Sequence, residues 1–141
     1  MNIIDTPLYK EVKEIHKFPL GDVFLFENVV IAQINEGKHV SIESGQECFK
    51  AIHDFYGAGK QFGYISNRIH RYSIEALDYP KHNIIFPNLK IYAIIGYSHF
   101  NELNIDIEKQ FCKVPFFGFQ TITEAYKYVN NYILNKSTKI A

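Results

Sequence analysis

VFLFENVVIAQI, residues 23–34, decides how the rest of the chain is read. Two apolar runs flank the polar pair Glu27-Asn28, a spacing that suits two short strands joined by a tight turn. The core therefore starts with an antiparallel hairpin. Downstream, INEGKHVS turns the chain, and Ser41 is placed to cap a helix over 41–56. Its apolar positions Ile42, Phe49, Ile52 and Tyr56 share one helical face, and Gly57 suits the left-handed position that ends it.

QFGYIS (61–66) reads as a short buried strand. Ser73 then caps a brief helix, SIEALDY (73–79), which Pro80 ends because proline fits poorly inside a helix. IIFPNL (84–89) is a loop that carries apolar side chains onto the core, and KIYAIIGYS (90–98) is a strand expected at the centre of the sheet. HFNELNIDIEKQF (99–111) sets Phe100, Leu103, Ile107 and Phe111 on one helical face. VPFFGFQ (114–120) is a last strand, which Pro115 assigns to an edge because proline has no N–H to donate. Thr121-Ile122-Thr123-Glu124 has the capping-box spacing, and Ile122, Tyr126, Val129 and Ile133 follow on one stripe of a helix over 121–134. NKSTKIA is expected to be a frayed tail. The order β-β-α-β-α-β-α-β-α predicts an α/β fold in a single domain over 1–141, with its core at about 17–134 after a short N-terminal extension. A four- to five-stranded, mostly parallel sheet with an initial antiparallel hairpin packs against about four helices.

The bulk numbers agree with one such domain. A chain of 141 residues is long enough to bury a core without metals or disulfides, and 47% hydrophobic with 21% charged residues is ordinary globular composition. Formal net charge is zero, so no global field favours nucleic acid or an anionic membrane. The apolar runs fall short of the roughly 20 residues of a membrane helix, and the charged N-terminus lacks the apolar stretch of a signal peptide. A soluble, cytoplasmic protein without membrane insertion is expected. Cys48 and Cys112 sit in apolar helical patterns and read as buried thiols. Two arginines stand against 13 lysines; with the wealth of Ile, Asn, Tyr and Phe, that is the signature of AT-rich codons.

No catalytic motif emerges. GAGK (57–60) lacks the earlier glycine and the following Ser or Thr of a phosphate loop, and it leads from helix to strand. The six histidines have no ligand spacing, no serine has a GxSxG frame, and no nucleophile, base and orienting group can be named. No cofactor is implied. The aromatic residues follow core periodicity, which favours packing over RNA binding.

SNRIHRYSIEALDYPKH (66–82) contains both arginines and two histidines. Arg68, His70 and Arg71 precede the predicted start of a helix, where free N–H groups carry partial positive charge, so Arg68, His70, Arg71 and Ser73 form a candidate site for an anion or a partner. Ser73 is also a candidate for phosphorylation, because a phosphate there is favoured by the dipole and has Arg71 at hand. The plainer alternative is a solvated crossover loop with Ser73 as an ordinary cap.

The succession GDVFLFENVVIAQINEGKHVSIESGQECFKAIHDF, YISNRIHRYSIEALDY, KIYAIIGYS and PFFGFQTITEAYKYV resembles a STAS/SEC14-like bacterial domain, a group similar to the anti-sigma-factor antagonists and the cytoplasmic domains of sulfate transporters. The likeness spans 17–134 and rests on element order, apolar spacing and the closing F-x-T-x-x-E-A helix start. In the antagonists an Asp-Ser pair begins the helix after the third strand, and a partner kinase phosphorylates that serine. One register puts Ser73 at the aspartate and Ile74 at the serine; the other puts Tyr72 at the aspartate and Ser73 at the serine. Either way the pair is broken, and the family's strand-end aspartate is missing near Ser66 or Asn67. The resemblance thus implies a non-enzymatic regulatory or protein-interaction domain without the Asp-Ser phosphoswitch, with an unknown protein partner. The alternative of the same fold is a small-ligand binder for a lipid, a nucleotide or an anion. A homodimer is expected through one aromatic face of 114–120, since Phe116 lies on one side and Phe117 and Phe119 on the other.

Overall fold

The hairpin read from residues 23–34 is present, and it lies inside a wider sheet. The computed structural model describes residues 1–97 and 105–140, with side chains as far as Asn135. In chain order these residues form two 3-10 turns (Ile3–Asp5 and Pro7–Glu11), then β1 (Glu14–Lys17), β2 (Gly21–Leu25), β3 (Val29–Ile34), β4 (His39–Val40), α1 (Gln46–Tyr56), β5 (Phe62–Arg68) and β6 (Ser73–Ile74). A third 3-10 turn (Ala76–Asp78) leads into α2 (Tyr79–Ile85) and β7 (Leu89–Gly96). A helical segment at 105–109, here α3, precedes β8 (Phe116–Phe119) and α4 (Ile122–Ile140).

The main sheet has the order β1-β2-β3-β5-β7-β8. Its first three strands run antiparallel, and β3, β5, β7 and β8 run parallel. The fold is α/β, as expected; the main sheet has one strand more than the sequence suggested, and β4 and β6 form a second, two-stranded sheet. That strand is β1, whose EIHK is largely exposed and lacks an apolar run. Charged residues on an edge strand deter pairing with other chains, and they also hide the strand from a hydrophobicity reading. β7 is an interior strand between β5 and β8, while β3 and β5 hold the centre.

Two cores lie against the sheet. On one face Cys48, Ile52 and Tyr56 of α1, Tyr79 of α2 and Phe86 just after it pack on Val23, Leu25, Val30, Phe62, Tyr92 and Ile94, with Ile105 of α3 and Phe111 at the margin. On the other, Ile122, Ala125, Val129 and Ile133 of α4 cover Val29, Ile31, Ile65, Ile91, Ala93 and Ile95, joined by Ile3 and Leu8 of the N-terminal turns. The stripe expected on α4 is the one that is buried. Gly63 of β5 lets α4 approach: a Cβ there would come 2.2 Å from Cγ1 of Val129.

Four local expectations are corrected. α1 starts at Gln46 rather than Ser41, because Ser41 and Ser44 bond each other reciprocally: each backbone N–H donates to the other's hydroxyl, at 2.9 and 3.1 Å. Ser73 caps no helix; it belongs to β6, which pairs in parallel with β4. Pro80 lies inside a helix, but in the first turn of α2, where no N–H partner is lost. The stretch 84–89 is not all loop: α2 reaches Ile85, leaving Ile84 exposed while Phe86 and Leu89 are buried.

In the 99–111 segment, Phe100 and Leu103 lie outside the described residues. Ile107, expected inside, is 52% exposed, and Glu108 is buried in its stead. α4 continues to Ile140, past the 121–134 expected of it, and its start keeps half of the capping box: the N–H of Glu124 donates to the Thr121 hydroxyl at 3.2 Å.

Candidate functional site

Parallel strands place their carboxyl ends along one edge of the sheet, and the last three residues of β5 bring Ser66, Asn67 and Arg68 there. All three are buried. Strand alternation sends Ser66 and Arg68 to the α1–α3 face and Asn67 to the opposite one.

On the opposite face Asn67 belongs to an amide network. Its Nδ2 donates to Oε1 of Gln33 and to the carbonyl of Met1, both at 2.8 Å, and its Oδ1 accepts from the hydroxyl of Tyr97 at 2.8 Å. Gln33 in turn accepts from the Ile3 N–H at 2.8 Å and donates to Asn2 at 3.0 Å. These bonds close the sheet's edge with the N-terminal turn, so this side is structural.

On the α1–α3 face Arg68 has both terminal nitrogens on the two carboxylate oxygens of Glu108 from α3, with both side chains about 5% exposed. Its Nε donates to the Ser66 hydroxyl at 3.1 Å, Ser66 shares a hydrogen bond with Tyr72, and the Tyr79 hydroxyl donates to Glu108. The guanidinium also stands over the Tyr72 ring, 5.5 Å from its centroid. Burial works against the Arg68 charge, but Tyr72 and the Glu108 carboxylate outweigh it and raise the pKa. Burial likewise pushes the hydroxyl of Tyr79 far above its ordinary range, with Glu108 adding to it. Arg68 is thus engaged inside the fold and is withdrawn from the set expected to hold a free anion.

The other three candidates lie on the surface. His70 is exposed, with Nδ1 4.0 Å from Glu36, and the Arg71 backbone N–H donates to the same carboxylate at 2.8 Å. The Ser73 hydroxyl shares a 2.7 Å hydrogen bond with Nδ1 of His39 across the β4–β6 pair. Backbone bonds fix the segment at both ends, from Gly37 N–H to Arg71 C=O at 2.7 Å and from Glu75 N–H to Val40 C=O at 2.8 Å. The helix after β5 begins at Tyr79, so neither register that put Ser73 at a helix start applies. The dipole argument for an anion or a phosphate at Ser73 falls with it.

The structure brings Arg68 and Ser73 to one cavity, of about 110 Å³, lined also by Tyr72, Ile74, Ala76, Ile107 and Glu108. A wider depression of about 360 Å³ lies open outside β7 and β8, with Asp106 and Glu124 on its wall. Among the described residues no three His, Cys, Asp or Glu side chains converge as a metal site, and no helix is long and apolar enough to cross a membrane. Both cysteines are free, and burial raises each thiol to about 11.

Glu108, Ser66, Tyr72 and Tyr79 were not singled out in the sequence. The available signal was Arg68 itself: it shares the inward parity of Tyr64 and Ser66, and an arginine at such a position requires a buried partner. Phe116 faces one core, while Phe117 and Phe119 lie against Tyr128 of α4 with ring centroids 5.1 and 5.5 Å away. This second aromatic face of β8 therefore has a partner within the chain and still meets solvent: Phe117 and Phe119 are half-buried and Tyr128 is 44% exposed.

No family model and no curated protein matches this sequence. Among solved structures, the fold is similar to that of an uncharacterized protein from the DUF3478 family with a SpoIIAA-like fold, from Shewanella loihica PV-4. The TM-score is 0.51 at 15% sequence identity, covering 82% of this chain and 90% of that one. A likeness at that identity concerns backbone architecture alone, and on that level the chain has the SpoIIAA-like α/β fold that the STAS resemblance implied.

Proposed function

We propose that this chain is a non-enzymatic regulatory or protein-interaction domain of the cytoplasm, similar in type to STAS antagonists but without their Asp-Ser phosphoswitch. The observation that carries this reading is the 69–78 rim. The β4–β6 pair and its flanking backbone bonds tie that rim to residues 37–40, and together they present the exposed side chains of His39, His70, Arg71, Ser73 and Leu77. A surface ordered before binding loses little conformational freedom when a partner docks, which is what recognition by a small domain requires. A mixed cationic, polar and apolar surface of this kind suits a protein better than a nucleic acid, in keeping with zero net charge.

The test compares the wild-type chain with an Arg71→Glu/Leu77→Asp variant, both used to capture proteins from the source cell. Both substitutions are at exposed positions, and a melting curve of the variant beside the wild type checks that it remains folded. A partner held by the wild type and lost by the variant is the expected result. Identical capture by the two proteins, with stabilisation of the wild type by lipid vesicles or nucleotides, would overturn the reading in favour of a lipid or nucleotide binder.

A further inference from the structure

Among the described residues three buried side-chain polar atoms lack a hydrogen-bond partner, and two of them are on α2: Nε2 of His82 and Oδ1 of Asn83. Buried polar groups are otherwise almost always paired, so the closed fold carries unmet polar atoms at this helix. His82 is buried between three elements. Its Nδ1 shares a 2.9 Å hydrogen bond with the Tyr92 hydroxyl of β7, and its ring meets Phe49 of α1 and Tyr79 of α2 edge-on, with centroids 5.5 and 5.4 Å away. The carboxylate that acts on it is Asp78, one turn earlier, which accepts from the Ile42 N–H at 2.9 Å and lies 3.4 Å from Nζ of Lys81. Glu108 stands beyond the Tyr79 hydroxyl and is held by Arg68. The neutral imidazole is tolerated here because Nδ1 has Tyr92. The imidazolium is not: it carries an N–H on both nitrogens, and the one on Nε2 has no acceptor. Burial accordingly lowers the pKa of His82 from 6.5, with Asp78 opposing. The helix is also lightly held, being seven residues long with Ile84 and Ile85 exposed at its end.

We propose that α2 is an acid-sensitive element, which opens from the sheet when His82 takes up a proton and thereby withdraws Asp78 from Ile42, loosening the 69–78 rim. The direction follows from linkage. In the open form His82 is in water and protonates below about 6.5, whereas the closed form protonates only at lower pH. Falling pH therefore favours opening through the interval between the two values, by up to about tenfold per pH unit for one proton. Asp78 carries the effect into the rim. It adjoins α2, its Oδ2 holds the N–H of Ile42 just past β4, and a positive His82 one turn along the helix competes for the same carboxylate. The consequence for recognition rests on the reading of the rim as a docking surface; the opening itself needs no partner.

Amide hydrogen exchange of the full chain, followed by NMR at pH 7.5, 6.5 and 5.5 and corrected for intrinsic exchange rates, reads the opening without any partner, so its outcome is independent of the capture experiment. The amides to follow are Phe86, which donates to the His82 carbonyl, and Ile42, which donates to Asp78. The expected result is a fall in protection of at least about threefold at both between pH 7.5 and 5.5, with both less protected than Ile31 and Ile65 of the central strands at every pH. In His82→Gln the fall should disappear. If that variant does not fold, titration of the His82 ring protons in the wild type decides, with a midpoint below 6.5 expected. Protection at Phe86 equal to that of the central strands, no fall at Phe86 or at Ile42, an undiminished fall in folded His82→Gln, or a midpoint at or above 6.5 would each overturn the proposal.

Discussion

Removing the Glu108 side chain tests whether the Arg68 charge is truly sealed from water. In Glu108→Ala the guanidinium, part of a side chain about 4% exposed in the wild type, loses the carboxylate beside it, and the Tyr79 hydroxyl loses its acceptor. Breaking a buried pair from one side costs about 3–5 kcal/mol. A chain of 141 residues unfolds with an entropy of about 0.3 kcal/mol per kelvin, so the melting temperature should fall by about 10–17 °C. The double variant Arg68→Met/Glu108→Leu removes both charges and should recover part of the loss. It stays about 1–3 kcal/mol short because Tyr79 still lacks an acceptor. Adding Tyr79→Phe should close that gap. Urea unfolding of the four proteins, followed by near-ultraviolet circular dichroism, gives the free energies. A loss below about 1 kcal/mol in the single variant would match an exposed ion pair and would refute the claim that Arg68 is buried in solution.

Gly63→Ala should destabilise by about 1–3 kcal/mol, measured by urea unfolding, because its Cβ would come 2.2 Å from Val129 and 2.9 Å from Ile91. His82 is buried, and burial lowers its pKa, with Asp78 opposing. The unfolded chain therefore takes up that proton first: stability should fall as pH drops below about 6.5 and continue falling until the folded form protonates, and a thermal melt series with His82→Gln should show a shallower slope. Cys48 and Cys112, with thiols raised to about 11, should react with iodoacetamide at pH 8 about two orders of magnitude more slowly in the native than in the unfolded chain, as read by mass spectrometry.

The hairpin and β7 were legible as continuous apolar runs of strand length, and the buried stripe of α4 as a helical period. β1 was not, since its exposed, charged residues have no such period. Ser41 and Ser73 look like caps in sequence, but a serine hydroxyl can instead serve a turn or a cross-strand partner, and here Ser44 and His39 take them. Pro80 was read as a stop because a sequence does not say which turn of a helix a proline will occupy. Of the candidate site, His70, Arg71 and Ser73 are near one another in the chain, but Glu108 is 40 residues from Arg68 and joins it only through the crossover that follows β7. Long-range pairs of this kind leave no local mark beyond the inward parity of one partner.

Among the described residues α1, α2 and α3 cover one face of the sheet, and α4, which closes the other, follows all of its strands in the chain. During synthesis the strands β3, β5 and β7 and the helices of the first face emerge earlier, while Val29, Ile31, Ile65, Ile91, Ala93 and Ile95 wait for Ile122, Ala125, Val129 and Ile133. Ile3 and Leu8 can shield only part of that face. A nascent chain that stalls before α4 leaves the ribosome therefore presents a broad β-branched surface to its surroundings, the kind of surface that draws chaperones or self-associates. Completion of the second core thus depends on α4, and a frameshift or premature stop ahead of it would leave half a core formed and the other half bare.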